Sequence, residues 1–247
     1  MFIGILVLAG IVAGIFASVA GMASIVAYPV LIFLGYPPIM ANILSTGSLV
    51  FSGVGSIFSS YSLIRKNFKI AITIIISALG GGVLGSYLLL YLPKDNFEHL
   101  VPYFILLSAM LLFISGRMPS KIATNNNVKI NYPLLLLVGF LIGIYIGYFG
   151  SGAGLMLVSI LLMILNLPFV EVNAIKNIST LATNILSFII YQSSVAIDWR
   201  TVVFLGLGMF IGGYLGPKLI LYFPDRKLKI FIAVCALLLA IYLFLNN

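Results

Sequence analysis

Long apolar runs separated by short polar segments make up most of the chain. Several runs reach 18 residues with few charges, and each of these can cross a ~30 Å hydrocarbon core as a helix. Strict apolar–polar alternation, which is typical of membrane β-barrels, does not occur. The pattern predicts an all-α polytopic membrane protein with the same four pieces in each half. These are an apolar stretch interrupted by small residues, at 2–34 and 131–166, and three ordinary spans, at 38–63, 70–91 and 97–115 and again at 171–193, 200–222 and 229–245.

The second half repeats motifs of the first at an offset of 129 to 131 residues. Gly81-Gly-Val-Leu-Gly returns as Gly212-Gly-Tyr-Leu-Gly, and Leu90-Tyr-Leu-Pro returns as Leu221-Tyr-Phe-Pro. Internal repeats in an apolar chain are typical of transporters. We therefore expect repeat one at 1–115, a cytoplasmic linker at 116–130 and repeat two at 131–247.

Composition supports a membrane protein, with 62% hydrophobic and 7% charged residues and a mean hydropathy of +1.24. The net charge of +8 does not indicate nucleic acid, because the basic residues lie in short loops between apolar runs. A single cysteine, Cys235, excludes an internal disulfide and a CxxC motif, and no cofactor or metal site is expected. Residues 1–20 resemble a cleavable signal peptide, but they lack a basic beginning and their pattern returns at 139–152.

The charges of the loops predict that the second repeat is inverted. Arg65, Lys66 and Lys69 make one loop basic and hence cytoplasmic, and the linker is basic too. In the second repeat, the loop equivalent to the first one contains Asp198 and Arg200, whose charges cancel. The next loop, at 225–229, is basic. Both termini are therefore expected outside. Each repeat must contain a broken helical pair or re-entrant hairpin plus three transmembrane helices.

The small-residue interruptions, at 18–24 and 149–154, are the predicted substrate site. A helix broken inside a membrane leaves free backbone N–H groups, and the start of the following helix carries partial positive charge. Together they favour an anion. The alternative is that these glycines only allow close helix packing. The candidate ligands in the two turns are Gly21, Ser24, Gly150, Ser151 and Gly152.

Lys176 lies about five residues inside an apolar span. An ionisable side chain within a span indicates function, and an ammonium could bind an oxyanion. Alternatively, its flexible stem could extend to the cytoplasmic headgroups. The nearest acids, Glu171 and Asp198, are expected to be solvated at the interface. The other polar candidates at this depth in the two halves are Ser45, Thr46, Ser48, Asn177, Thr180 and Asn184.

Aromatic residues near the predicted span ends are expected to form interfacial belts. They are Tyr61, Tyr91, Tyr132, Tyr191, Trp199 and Tyr222.

The order of motifs in both repeats resembles the TauE/SafE sulfite exporters, also called the 4-toluene sulfonate uptake permeases. In repeat one the resemblance depends on Leu34-Gly-Tyr-Pro-Pro after the interrupted stretch and on the Gly-Gly-x-x-Gly-Ser span. In repeat two it depends on Phe149-Gly-Ser-Gly-Ala-Gly, Asn173-Ala-Ile-Lys and Ile197-Asp-Trp-Arg. Repeat one departs from the glycine-richer family pattern at Ala20, Ala23 and Ser24.

The resemblance implies transport of small sulfur oxyanions or organosulfonates across the cytoplasmic membrane of a prokaryote. A secondary carrier is expected, with the anion at the midplane between the two breaks, and a passive anion channel is the alternative. An intramembrane hydrolase using Ser151 would need a nearby base, but the one histidine, His99, is expected in an external loop. The expected partners are the anion and membrane lipid, with a homodimer left open.

Overall fold

The computed structural model describes residues 2–91, 131–150, 152–165 and 167–222, and a few isolated positions beyond them. Within these ranges there are eight helices and no strand, which confirms the all-α prediction. In chain order the helices are α1 (Phe2–Ala20), α2 (Ser24–Phe33), α3 (Pro38–Lys66), α4 (Phe68–Tyr91), α5 (Tyr132–Tyr148), α6 (Ala153–Ile164), α7 (Phe169–Gln192) and α8 (Trp199–Ile220).

Both interrupted stretches form a long helix followed by a short one. Helices α1 and α5 have 19 and 17 residues, whereas α2 and α6 have 10 and 12. At 1.5 Å per residue the short helices are about 15–18 Å long, less than a ~30 Å hydrocarbon core. Helices α1, α3, α4 and α8 are long and apolar enough to cross a membrane. Apart from those isolated positions, the predicted spans 97–115 and 229–245 lie outside the described residues, as do the linker 116–130 and Ser151.

Equivalent residues start equivalent helices in the two halves. Pro37 precedes α3 with φ −58° and ψ 150°, and Pro168 precedes α7 with φ −57° and ψ 149°. The fixed φ of proline suits the residue that leads into a helix. Helix α8 has a side-chain cap, because Asp198 accepts hydrogen bonds from the backbone N–H groups of Arg200 and Thr201.

The first helix of each half packs against the glycine-rich helix of the other half. Helix α1 contacts α8, and α5 contacts α4. These approaches are backbone to backbone. A Cβ atom on Gly14 of α1 would lie 2.5 Å from the Met209 carbonyl oxygen, and one on Gly143 of α5 would lie 2.7 Å from the Ala78 Cα. Small residues permit such contacts between membrane helices. The two halves thus make equivalent contacts with each other.

Helices α3 and α7 lie between these two pairs and carry most of the buried polar side chains. Helix α3 contacts α7 and α8, and α7 also contacts α4. Buried hydroxyl groups along both helices donate to the carbonyl four residues earlier, as Ser48 does to Leu44 and Ser179 does to Ile175. This back-bonding satisfies polar groups inside an apolar bundle.

Two sequence-based expectations are wrong. Tyr191 is not part of an interfacial belt, because it is fully buried and its hydroxyl donates to the Gly147 carbonyl. Glu171 is not solvated. It is buried in the first turn of α7 and accepts hydrogen bonds from Lys66 Nζ at 2.5 Å and Asn67 Nδ2 at 2.9 Å. The other five residues of the predicted belts do face outward, namely Tyr61, Tyr91, Tyr132, Trp199 and Tyr222.

The hydrogen bonds of Glu171 with Lys66 and Asn67 join the two halves of the chain. A second contact between the halves lies close to the equivalent place in the repeat. Asp198, which is 131 positions after Asn67, accepts a hydrogen bond from the Tyr36 hydroxyl and another from Thr201 Oγ1 at 2.9 Å. The Tyr36 hydrogen bond lowers the pKa of the Asp198 carboxyl from its ordinary value of 3.8. Thus the connection after α3 contacts the start of α7, and the connection after α7 contacts the connection before α3.

Candidate functional site

The two predicted helix breaks are present, and they meet. Gly21, Gly150 and Gly152 adopt left-handed backbone conformations, with φ of 72°, 69° and 72°. Other residues rarely adopt this region, so glycine is needed where each helix ends. Gly21 packs directly on Gly154, since a Cβ atom on Gly154 would lie 2.7 Å from the Gly21 Cα. The breaks therefore bring the end of α1 against the start of α6.

Three side chains of α7 bind the carbonyl end of α1. The Ser18 carbonyl accepts from Asn173 Nδ2 at 2.8 Å, from Asn177 Nδ2 at 3.2 Å and from Lys176 Nζ at 3.2 Å. Lys176 Nζ also donates to the Ala17 carbonyl, at 2.9 Å. The last carbonyls of a helix lack partners within it and carry partial negative charge, which a cation stabilises. Lys176 is fully buried, so it does not extend to the headgroups.

A cavity opens beside the meeting point of the breaks. Its empty volume is about 650 Å³, a value that includes its mouth. The walls come from both halves and are rich in hydroxyl and amide groups. The polar side chains that line it are Ser24, Tyr28, Asn42, Ser45, Thr46, Ser52, Ser56, Asn177, Thr180 and Asn184, and the remaining lining includes Ala17, Gly21, Gly150 and Gly154.

Most of the candidate ligands lie on this cavity. They are Gly21, Ser24, Ser45, Thr46, Gly150, Asn177, Thr180 and Asn184. Three described candidates lie elsewhere. Ser48 donates to Leu44 and to the Val202 carbonyl of α8, Lys176 is behind the wall on the end of α1, and Gly152 precedes the first turn of α6.

Sequence reasoning missed four polar residues of the wall, namely Tyr28, Asn42, Ser52 and Ser56. For the serines, the sequence contains a pattern that could have identified them. Ser45, Ser52 and Ser56 follow one another at intervals of seven and four residues, which places them on one stripe of a helix. Asn42 and Asn173 are 131 positions apart and therefore occupy equivalent positions in the two repeats, but nothing in the sequence shows that Asn42 faces a cavity.

Two amide groups in the wall have unused hydrogen-bonding atoms. Asn42 Nδ2 and Asn184 Oδ1 are buried and have no hydrogen-bond partner. A buried donor without an acceptor costs on the order of 1–3 kcal/mol. An acceptor group placed in the cavity would remove that cost for Asn42. The described lining has no charged side chain, and Tyr28 is its only titratable group.

The profile of the family described as "Sulfite exporter TauE/SafE" matches residues 6–243 of this sequence. The chain belongs to this family. Relatives include a "Probable membrane transporter protein" of Haemophilus influenzae, 27% identical over 89% of this chain and 85% of its own length. Another is "Probable membrane transporter protein ORF9" of Sinorhizobium sp., 26% identical over 96% of this chain and 90% of its own.

A third relative is "Probable membrane transporter protein YfcA" of Escherichia coli K12, 23% identical over 100% of this chain and 91% of its own length. No solved structure gives a significant match. The family and these relatives are described as membrane transporters and not as enzymes. This chain of the TauE/SafE family is accordingly a multi-pass membrane protein.

Proposed function

We propose that the chain is a secondary carrier that moves a small sulfur-containing anion across the cytoplasmic membrane of a prokaryote. Sulfite, thiosulfate and organosulfonates are the candidate substrates, since the family is described as sulfite exporters. The anion binds in the cavity between the two glycine-rich breaks. The observation that carries this proposal is the unpaired, buried Nδ2 of Asn42 in a wall of hydroxyls and amides.

The wall suits a sulfur oxyanion chemically. Such anions present two or three oxygens to a ring of donors, and hydrogen bonds to charged groups are shorter and stronger than those between neutral groups. Asn42 supplies an amide donor from the start of α3, and the hydroxyls of Ser45 and Thr46 lie within the next turn. Thr46 donates to the Asn42 carbonyl at 2.9 Å and can turn toward an anion instead.

The contacts between the halves support a carrier rather than an open channel. Glu171 with Lys66 and Asn67 forms one contact, and Asp198 with Tyr36 forms the other. With the repeats inverted, these contacts lie at opposite membrane faces. A carrier needs one closure on each side that opens in turn, as in transporters in which one repeat moves against the other.

Counterflow in proteoliposomes tests the carrier, with sulfite, thiosulfate, sulfoacetate and sulfate compared as trans substrates. A carrier should exchange labelled anion faster when an unlabelled substrate is present on the other side. Flux without such stimulation would instead identify a passive channel, and no flux of any sulfur anion would contradict the substrate class.

Asn42→Leu tests the site, because it keeps a similar volume and removes the amide. Substrate affinity should fall about tenfold or more, as expected for losing a hydrogen bond to a charged group worth roughly 1.5–3 kcal/mol. Ser48→Ala is the matched control on the same helix, since Ser48 does not line the cavity. Equal affinity in both variants would show that the anion does not bind there.

A further inference from the structure

Lys176 is a fully buried lysine without a carboxylate partner. Among the described residues the one ion pair is Lys66 with Glu171, so no acid in that part of the chain balances an ammonium on Lys176. Its Nζ makes two hydrogen bonds, to the carbonyls of Ala17 and Ser18. An isolated buried charge costs much more than a buried neutral group, even where helix dipoles offset part of it.

The surroundings of Lys176 hold few groups that could compete for a proton. Helices α1 and α6, which contact its ammonium and its stem, contain no titratable residue. On α7 itself, the Glu171 carboxylate is bound to Lys66 and Asn67, and Tyr191 binds Gly147. The other titratable groups of the surrounding helices are the tyrosines Tyr28, Tyr61, Tyr87, Tyr91, Tyr132, Tyr145, Tyr148 and Tyr214 and, near helix ends, Arg65, Lys69, Asp198, Arg200 and Lys218.

The hydrogen bonds around Nζ suit both charge states. A neutral amine has two N–H groups, which match the two carbonyls of α1. An ammonium has a third N–H group. Asn173 lies one helical turn before Lys176 and binds the same Ser18 carbonyl through its Nδ2, while its Oδ1 is buried without a partner. That oxygen is available to accept from the third N–H group.

The cavity lies directly beyond Lys176. Ala17 and Gly154 contact the lysine and also line the cavity. A Cβ atom on Gly154 would lie 3.1 Å from the Lys176 Cδ, so only the thickness of one backbone separates the stem from the space. In a region of low dielectric, an anion in that space would attract the ammonium strongly.

We propose that Lys176 is the proton-binding residue of the transport cycle, which makes the carrier an anion–proton symporter. This inference rests on the proposed anion site. A proton from one side binds the Nζ lone pair together with a monoanion in the cavity, and both leave on the other side. The loaded carrier then holds one ammonium and one anion, and the empty carrier holds a neutral amine. Neither form moves across with a net buried charge, so the cycle is electroneutral.

Methanesulfonate is the probe, because it stays a monoanion throughout the usable pH range whereas sulfite does not. Proteoliposomes contain a pH-sensitive dye, and their membrane potential is clamped with potassium and valinomycin. With wild-type protein, a methanesulfonate gradient should acidify the interior as the anion enters. The initial rate should not depend on the clamped potential.

Lys176→Arg keeps a positive charge at this position but prevents the loss of the proton, since arginine stays protonated in proteins. This variant should retain exchange of labelled for unlabelled methanesulfonate, because the loaded form remains neutral. Its net flux with protons should fall at least tenfold, because the empty carrier keeps a buried charge. Lys176→Met should lower methanesulfonate affinity more than tenfold at low pH, and this difference should shrink as the pH rises, because the wild-type amine then loses its proton. Lys69→Met, which removes an exposed lysine of α4, is the control and should leave all three measurements unchanged.

The outcomes are distinguishable. Wild-type exchange of methanesulfonate without acidification, or full proton-coupled net flux in Lys176→Arg, would overturn the role of Lys176 and leave the anion carrier standing. A wild-type protein that exchanges neither methanesulfonate nor thiosulfate would overturn the anion carrier itself. If Lys176→Met does not fold, the Lys176→Arg comparison still decides.

Discussion

Gly21 packs against Gly154 backbone to backbone, so that a Cβ atom on Gly21 would lie 2.5 Å from the Gly154 carbonyl carbon. These two residues belong to different halves of the chain and to the two helix breaks. Both also line the cavity. The shape of the candidate site therefore depends on the absence of a side chain at this contact.

Gly21→Ala should impair transport and stability together. Alanine meets the Gly154 backbone, and it must also adopt φ 72°, a left-handed conformation that costs roughly 1–2 kcal/mol. Gly35→Ala is the matched control, because Gly35 has φ 90° but nothing within 4 Å of its Cβ position. The thermal unfolding midpoint should fall in both variants, and it should fall further in Gly21→Ala. Only Gly21→Ala should lose transport. Equal losses would mean that the contact is unimportant.

Gly14→Ala should destabilise the packing of α1 on α8. The added methyl would lie 2.5 Å from the Met209 carbonyl oxygen, and overpacking of this kind costs about 1–3 kcal/mol. Gly4→Ala lies on the same helix and meets nothing within 4 Å, so it should be neutral or stabilising by up to about 1 kcal/mol. Unfolding midpoints in detergent compare the two. A harmless Gly14→Ala would contradict the close approach of these helices.

Lys66→Met should destabilise the protein more than Lys69→Met. Lys66 binds the buried carboxylate of Glu171, and its removal leaves that carboxylate with Asn67 alone. The Lys66 side chain is 65% exposed, so solvent screening should keep the loss small, within about 1 kcal/mol. Lys69 is exposed and has no ion pair among the described contacts. A double variant with Glu171→Gln should recover part of the loss, and if it does not, the pair contributes nothing measurable.

Lys69→Cys and Arg200→Cys should label from opposite sides of the membrane. The two positions are 131 residues apart, occupy the second position of α4 and of α8, and are exposed. In a background with Cys235 replaced by serine, a membrane-impermeant maleimide added to intact cells should reach only the cysteine at 200. The cysteine at 69 should react only after the membrane is opened. Labelling of both from one side would contradict the inverted repeat.

The sequence determined the helical class, the boundaries of the described helices to within a few residues, and the positions of the two breaks. These properties depend on local features: runs of apolar residues, glycine clusters, and prolines before helices. The repeat also made equivalent positions visible before any contact was known. Eight of the twelve candidate ligands lie on the cavity. Gly21 and Gly150 lie there because the two breaks meet, and side chains such as those of Ser45 and Asn177 lie there because helical spacing places polar groups on shared stripes.

Only the tertiary structure decided what each polar side chain contacts. Lys176 and Ala17 are 159 positions apart, and no local pattern shows that the ammonium binds the carbonyl end of α1. Burial of Glu171 and Tyr191 likewise depends on partners from other helices, Lys66 and Gly147. The sequence specifies which groups require a partner in a membrane, since unpaired polar groups are costly there, whereas packing between the two halves selects which partner each one receives.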